Sequence, residues 1–236
     1  MTYHYVWLLW ASAFLLPWIG LYLSNPGLRV TMRRASVITA LLGVTEPIFV
    51  PRYWNPPSLF ELAQRTGFDI ESLIFTFAIG GIGAAAYTTF TRRAHVPLAA
   101  NDRTHRRHRF HRAILVAPFA LFVPLWLFGW NPIYPSIVCL LIGALGSLVC
   151  RPDLARPALA GGMLFFCLYA VFMLGLRLLA PGYIEAVWNL SDLSGGLVYG
   201  IPSEELLFGL SFGMYWSAVY EHVTWQAFSE RPAHAL

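Results

Sequence analysis

Seven apolar stretches, each near the length a helix needs to cross a bilayer, dominate the 236-residue sequence. A hydrocarbon core about 30 Å thick requires about 20 mostly apolar residues per helix. The stretches cover residues 3–23, 35–50, 70–90, 113–130, 133–149, 159–179 and 202–220. Charged residues make up 12% of the chain, against about 25% in soluble domains, so the chain cannot cover a water-facing surface. This excludes a soluble enzyme, a disordered tail and a compact nucleic-acid module. The expectation is an all-α, multi-pass protein with seven transmembrane helices in the inner cell membrane. The first stretch lacks a basic n-region and a small-residue cleavage site, so it is expected to remain as a helix.

All sixteen basic residues are arginine; the sequence has no lysine. Thirteen of them fall in alternate connections. These are Arg29, Arg33 and Arg34, then Arg92, Arg93, Arg103, Arg106, Arg107, Arg109 and Arg112, then Arg151 and Arg156, and Arg231 in the tail. Arg52, Arg65 and Arg177 occupy the opposite side. By the positive-inside rule the N-terminus faces outside and the C-terminus the cytoplasm. The net charge of +4 is then a property of loops, and no nucleic-acid partner is implied. Cys139, Cys150 and Cys167 fit neither a disulfide framework nor a zinc-type cysteine spacing.

The chain also repeats itself. At an offset of 133 residues Glu71 meets Glu204, Phe75 meets Phe208, Gly80 meets Gly213 and Tyr87 meets Tyr220. Trp54-Asn55 and Trp188-Asn189 match with one residue of slack. Spans one to three and five to seven would form two parallel three-helix repeats, joined by span four as a linker helix. Residues 1–90 are then the first repeat, 91–130 the basic cytoplasmic loop and linker, and 131–236 the second repeat, within one transmembrane domain. An even offset of spans keeps orientation, so the repeats are related by an axis along the membrane normal.

Ionisable groups in or at the edge of a membrane are costly, and each is a functional candidate. Pro202 suits the first turn of a helix, where its missing N–H costs nothing. Glu204 and Glu205 follow in that turn; a carboxylic acid kept neutral by an apolar site is a proton donor. Asp69 reads as an N-cap, with Glu71 two residues on. Glu46 sits before Pro47 near the outer end of span two. Glu221 and His222, at the cytoplasmic end of span seven, are expected in solvent. Helical spacing places Phe208, Ser211 and Tyr215 with Glu204, and Gly209, Phe212 and Trp216 with Glu205. Aromatic faces beside an acid suit a carbocation. Gly209 and Gly213 form a small-xxx-small pair expected to bring helices close.

Two motifs fail on context. Gly81-Ile82-Gly83-Ala84-Ala85-Ala86 fits a dinucleotide pattern, but it lies in a membrane span with no strand before it, and reads as helix packing. His105, His108 and His111 recur every third residue, yet histidine-box di-iron sites need several boxes, and this chain has 7 histidines crowded by arginine. No metal and no cofactor are expected. A retinal protein is excluded, because a Schiff base needs a lysine.

The doubled pattern resembles the small integral-membrane lycopene cyclases of carotenoid biosynthesis, which occur as two short subunits, as fused single chains, or as one part of a fungal fusion enzyme. That family carries a Trp-Asp/Asn pair and a Pro-x-Glu-Glu motif at the head of a helix. Trp188-Asn189 and Pro202-Ser203-Glu204-Glu205 match the second copy; in the first, Trp54-Asn55 is present, while Asp69-Ile70-Glu71-Ser72 lacks the proline and one glutamate. The resemblance implies redox-neutral acid catalysis on a linear C40 polyene, forming ionone rings. A lycopene β-cyclase-like enzyme of this kind is an intramolecular lyase or isomerase. It implies Glu204 or Glu205 as donor, Glu71 as counterpart in the other repeat, Glu46 as relay or base, and Phe208, Tyr215 and Trp216 as cation shields. Trp54, Asn55, Trp188, Asn189 and Pro202 complete the implied substrate-binding set. Its implied partners are lycopene or a related carotenoid, the lipid bilayer, and a second copy or other carotenoid enzymes. Two readings compete. One is a non-catalytic carotenoid- or isoprenoid-binding protein or cyclase partner subunit. The other is an intramembrane protease of the CAAX-processing type, whose Glu-Glu-x-x-x-Arg motif Gly209 breaks.

Overall fold

The structure is a computed structural model that describes residues 3–232, except the side chains of residues 230–232. Among the described residues it is predominantly helical, as expected of an all-α membrane protein. In chain order the elements are α1 (Val6–Ala13), α2 (Leu15–Ser24), α3 (Arg29–Ala40), α4 (Leu62–Thr66) and α5 (Ile70–Thr91), then strand β1 (Arg93–Pro97) and α6 (Ala100–Arg103). There follow α7 (His111–Leu127), α8 (Ile133–Cys150), α9 (Ala155–Leu179), α10 (Tyr183–Val187), the short strands β2 (Leu197–Val198) and β3 (Ile201–Pro202), α11 (Ser203–Thr224) and β4 (Gln226–Pro232).

Among the described residues five helical segments are long and apolar enough to cross a membrane: Val6–Ser24, Ile70–Thr91, Arg106–Leu127, Ile133–Cys150 and Pro152–Leu179. Two of the seven expected spans fall outside that set for physical reasons. The second begins as α3, tightens into the 3-10 segment Leu41–Ile48 and carries Pro47 inside it, so no single long helix forms. The seventh, α11, is 22 residues long but bears Glu204, Glu205 and Glu221. Pro202 stands one residue before α11, as its N-cap, rather than in its first turn.

α11 packs against α9, α8 and α5; α3 packs against α5, and α7 against α8. The approach of α9 and α11 depends on glycine: a Cβ on Gly213 would lie 3.0 Å from the Gly162 backbone, on both its Cα and its carbonyl oxygen. Gly81 and Gly83 likewise face Trp18 and Ser36, and Trp216 and Phe212, so the glycine-rich stretch of α5 does serve helix packing. The core joins Phe14, Ile79, Phe165, Tyr169, Phe212 and Trp216. Leu16, Ile38, Val123, Val149, Leu179 and Leu207 are exposed on the outer helix faces. Such a girdle of large apolar side chains suits hydrocarbon and not water.

Corresponding pieces recur along the chain. α5 and α11 are both 22 residues long, and each ends in a left-handed residue, Arg92 (φ 53°) and Trp225 (φ 57°). β1 and β4 follow these caps directly and pair antiparallel, with Val96 opposite Ala227. At the other end of the bundle Trp54 and Trp188 form an isolated antiparallel bridge.

The ends of α5 and α11 correct one expectation. Glu221 and His222 are buried, not solvated. Glu221 meets His95 Nε2 at 2.8 Å, and His222 Nδ1 meets Ser147 Oγ at 3.1 Å, because β1 and the end of α8 close over the end of α11. Arg151 is also fully buried, paired with Asp153 at 2.6 Å. The cysteines are free, with Cys139 and Cys150 buried.

Candidate functional site

A cavity of about 310 Å³ opens in the centre of the bundle. Fourteen of its thirty lining residues are aromatic, nearly three times the share of aromatics in the chain (16%). Composition alone therefore does not account for that wall. Two carboxyls line it, Glu46 and Glu205.

Glu205 sits in the first turn of α11, and three donors hold it. Tyr53 donates its hydroxyl to Oε1 at 2.5 Å, Trp188 donates Nε1–H to the same oxygen at 2.8 Å, and the Tyr169 hydroxyl donates to Oε2. Burial and then the neighbouring Glu205 charge hold the Tyr53 hydroxyl far above the ordinary phenol range, so it stays a donor. Glu46 is half-buried in the 3-10 segment and accepts from Trp54 Nε1 at 2.6 Å, with the Ser72 hydroxyl beside it.

The two indoles belong to one roof. Asn55 N–H donates to Val187 O at 2.8 Å and Asn189 N–H to Tyr53 O at 3.0 Å, fastening the two loops across the bridge. The Trp54 and Trp188 rings lie 5.2 Å apart at 47°. Below them Trp7 stands edge-on to Trp54 at 4.6 Å and donates Nε1–H to Asp69 at 3.4 Å. Asp69 caps α5 as expected, accepting from Ser72 N–H at 2.5 Å. Burial raises its carboxyl above the usual range, which the bond from Ser72 partly offsets.

The structure separates the sequence candidates into two groups. Glu46, Glu205, Trp54, Trp188, Phe208, Tyr215 and Trp216 line the cavity. Glu71, Glu204, Asn55, Asn189 and Pro202 do not. Glu204 accepts from Ser194 N–H at 2.9 Å and from the Tyr134 hydroxyl at 2.9 Å, and Glu71 accepts from Leu59 N–H at 2.8 Å. Each grips the backbone of the loop that precedes its own helix. Asn189 Nδ2 donates to Arg52 O at 3.2 Å, tying loop to loop. The helix-face assignment for Glu204 is thus amended: Phe208 and Tyr215 share the cavity with Glu205, from which Glu204 turns away. Sequence reasoning missed Tyr53 and Tyr169. The available signal was a hydroxyl carried into an apolar span, as in α9, or placed beside the Trp-Asn pair.

Comparison with known proteins places one segment. Residues 131–223 match the family model described as lycopene cyclase. No curated protein and no solved structure matches the chain. The match covers Trp188, Asn189 and the head of α11, and leaves Glu46, Tyr53 and Trp54 outside it.

Proposed function

From the match of residues 131–223 to the lycopene cyclase family model, we propose that this chain belongs with that family and cyclises the end of a linear carotenoid inside the membrane. The observation that carries this reading is the aromatic-walled cavity with two carboxyls of unequal hydrogen bonding. Glu205 accepts on both oxygens from three donors, the pattern of an ionised, acceptor-only carboxylate. Glu46 accepts from Trp54 on Oε1 and has the Ser72 hydroxyl as a further hydrogen-bonding neighbour, and its Oε2 is proposed to carry the proton. Glu46 is then the acid and Glu205 the base, a different division from the one the Pro-x-Glu-Glu motif alone suggests. Glu71 and Glu204 anchor loops.

The chemistry balances without a redox partner. The Glu46 proton adds to the terminal double bond and leaves a tertiary cation. The neighbouring double bond attacks it, forming one carbon–carbon bond and moving the charge into the new ring. Loss of a ring proton to Glu205 restores a double bond. Trp7, Trp54, Phe208, Phe212, Tyr215 and Trp216 present ring faces or edges around that transient cation, and a cation over a desolvated aromatic face gains about 2 kcal/mol. Three hydrogen bonds hold Glu205 in place, so little reorganisation accompanies proton transfer. Loss of the proton from the ring carbon that joins the polyene would place the double bond as in a β ring, the ring type proposed here together with the isomerase or lyase class.

The architecture proposed with it has seven spans, two parallel three-span repeats and an external N-terminus. Its supports are the arginine asymmetry, the equal lengths and left-handed ends of α5 and α11, and the reciprocal bonding at Trp54 and Trp188. A carrier would need the same cavity without the acids, so the two carboxyls favour catalysis over binding.

The test is pigment chromatography in a bacterium that accumulates lycopene. The parent chain should yield cyclic carotene. Glu46→Gln and Glu205→Gln, each confirmed in the membrane, should lower product by about 100-fold or more, the range for loss of a general acid or base. Cyclic product from both variants, or unchanged lycopene with the parent, would refute the proposal.

A further inference from the structure

The second buried cluster lies at the opposite end of the bundle from the tryptophan bridge, and it owes nothing to the proposed cyclisation. His108 closes the 3-10 turn Arg106–His108, His111 opens α7, and Cys150 ends α8. All three are buried, and one donor atom from each lies within 4.8 Å of the other two. Cys150 Sγ is 3.2 Å from His108 Nδ1 and 3.5 Å from His111 Nδ1. Ligands on one tetrahedral zinc, at 2.0–2.3 Å from the ion, stand roughly 3.3–3.8 Å from each other. The observed spacing is therefore close to that of a formed site.

A fourth group, outside that 4.8 Å cluster, stands against His111. His222 is 0% exposed, and its ring is edge-on to His111 with centroids 4.5 Å apart. Its Nδ1 is engaged by Ser147 Oγ at 3.1 Å, while its Nε2 is buried with no partner among the described residues. One imidazole nitrogen held by a hydroxyl and the other left bare is the arrangement that orients a metal-ligating histidine. An orphaned buried nitrogen otherwise costs about 1–3 kcal/mol. Trp225 stacks on His111 at 4.0 Å and stands edge-on to His108 at 5.0 Å, covering the cluster.

We infer that His108, His111, Cys150 and His222 form a structural zinc site that ties the basic loop to the ends of α8 and α11. Half of that ligand set lies outside the histidine spacing of the loop: Cys150 and His222 arrive from later helices, and His105 is exposed and takes no part. The thiolate softens the charge that Arg107, Arg112 and Arg151 bring near the site, and Asp153 already engages Arg151 through two bonds. One adjustment accompanies loading. Arg107 Nε now donates to His108 Nε2 at 3.3 Å, so binding at Nδ1 moves the imidazole proton to Nε2 and releases this exposed arginine to solvent.

The test uses the full chain purified in detergent. Elemental analysis should find about one zinc per chain, as a closed structural site requires. Cys150→Ala and His111→Gln should lose it, and His105→Gln should keep it. Ser147→Ala should weaken retention by about 10–100-fold. Cobalt exchanged into the parent should give a thiolate-to-metal charge-transfer band. Zinc content equal in parent and Cys150→Ala, copper in place of zinc, or cobalt without that band would overturn the inference. The cobalt spectrum requires only the parent chain, so it decides the matter even where Cys150→Ala does not fold.

Discussion

Carboxylates two or fewer residues apart do unlike work in this protein, and the neighbours of each oxygen decide which. Glu205 faces the cavity and collects Tyr53, Tyr169 and Trp188, while Glu204 turns to Ser194 and Tyr134. The sequence made both visible as costly acids in an apolar chain, but not their division, because adjacent positions on a helix point about 100° apart and pairing depends on loops far away in the chain. Removing a donor to a charged acceptor costs about 1.5–3 kcal/mol, or roughly a 10- to 150-fold change. Tyr53→Phe and Tyr169→Phe should each slow carotene formation within that range at unchanged protein level. Glu204→Gln should instead lower the thermal midpoint of the detergent-solubilised protein while leaving the initial rate at low temperature within about threefold. A rate loss for Glu204→Gln as large as that for Glu205→Gln would contradict the division.

At the scale of elements, the apolar runs located α5, α7, α8 and α9 well, since a long helix satisfies its own backbone and needs little else. They described α3 and α11 less completely. Pro47 converts the end of the second run into a 3-10 segment, and three glutamates make the seventh less apolar than its neighbours. Both departures coincide with the two cavity acids, where local regularity gives way to the site. The contact of α9 with α11 is the tightest test of the packing. Gly213→Leu would place a Cβ 3.0 Å from Gly162 backbone, which cannot rotate away as a side chain can. Overpacking of this kind costs about 1–3 kcal/mol, so a lower unfolding temperature is expected. Gly20→Ala, where a Cβ meets nothing within 4 Å, should leave that temperature unchanged or raise it. Equal behaviour of the two variants would argue against the helix approach described.

For the whole molecule, the external N-terminus proposed from the arginine distribution fixes which loops face outward. With Asp192→Cys and Asp102→Cys introduced separately into a chain freed of its three cysteines, an impermeant maleimide should label the first on intact cells. The second should react only after permeabilisation. The reverse pattern would invert the proposed orientation. Both positions are exposed, so reactivity reports sidedness. The offset of 133 residues pairs positions of α5 with positions of α11; it did not anticipate that β1 and β4 would meet, or that His222 would be buried against His111. Those contacts join segments whose sequences carry no shared pattern, and only the three-dimensional arrangement brings them within reach.

The closed tryptophan bridge has one more consequence. It roofs the cavity, whereas the exposed members of the wall are Thr45, in the 3-10 segment, and Phe119, on α7. A ligand would therefore arrive sideways, out of the acyl chains, rather than from either aqueous phase. Its supply is then a two-dimensional traffic, counted as moles per mole of lipid. An apparent KM expressed in molar units would drift with the amount of detergent or lipid in the assay, and rates from different preparations would become comparable only after division by that amount.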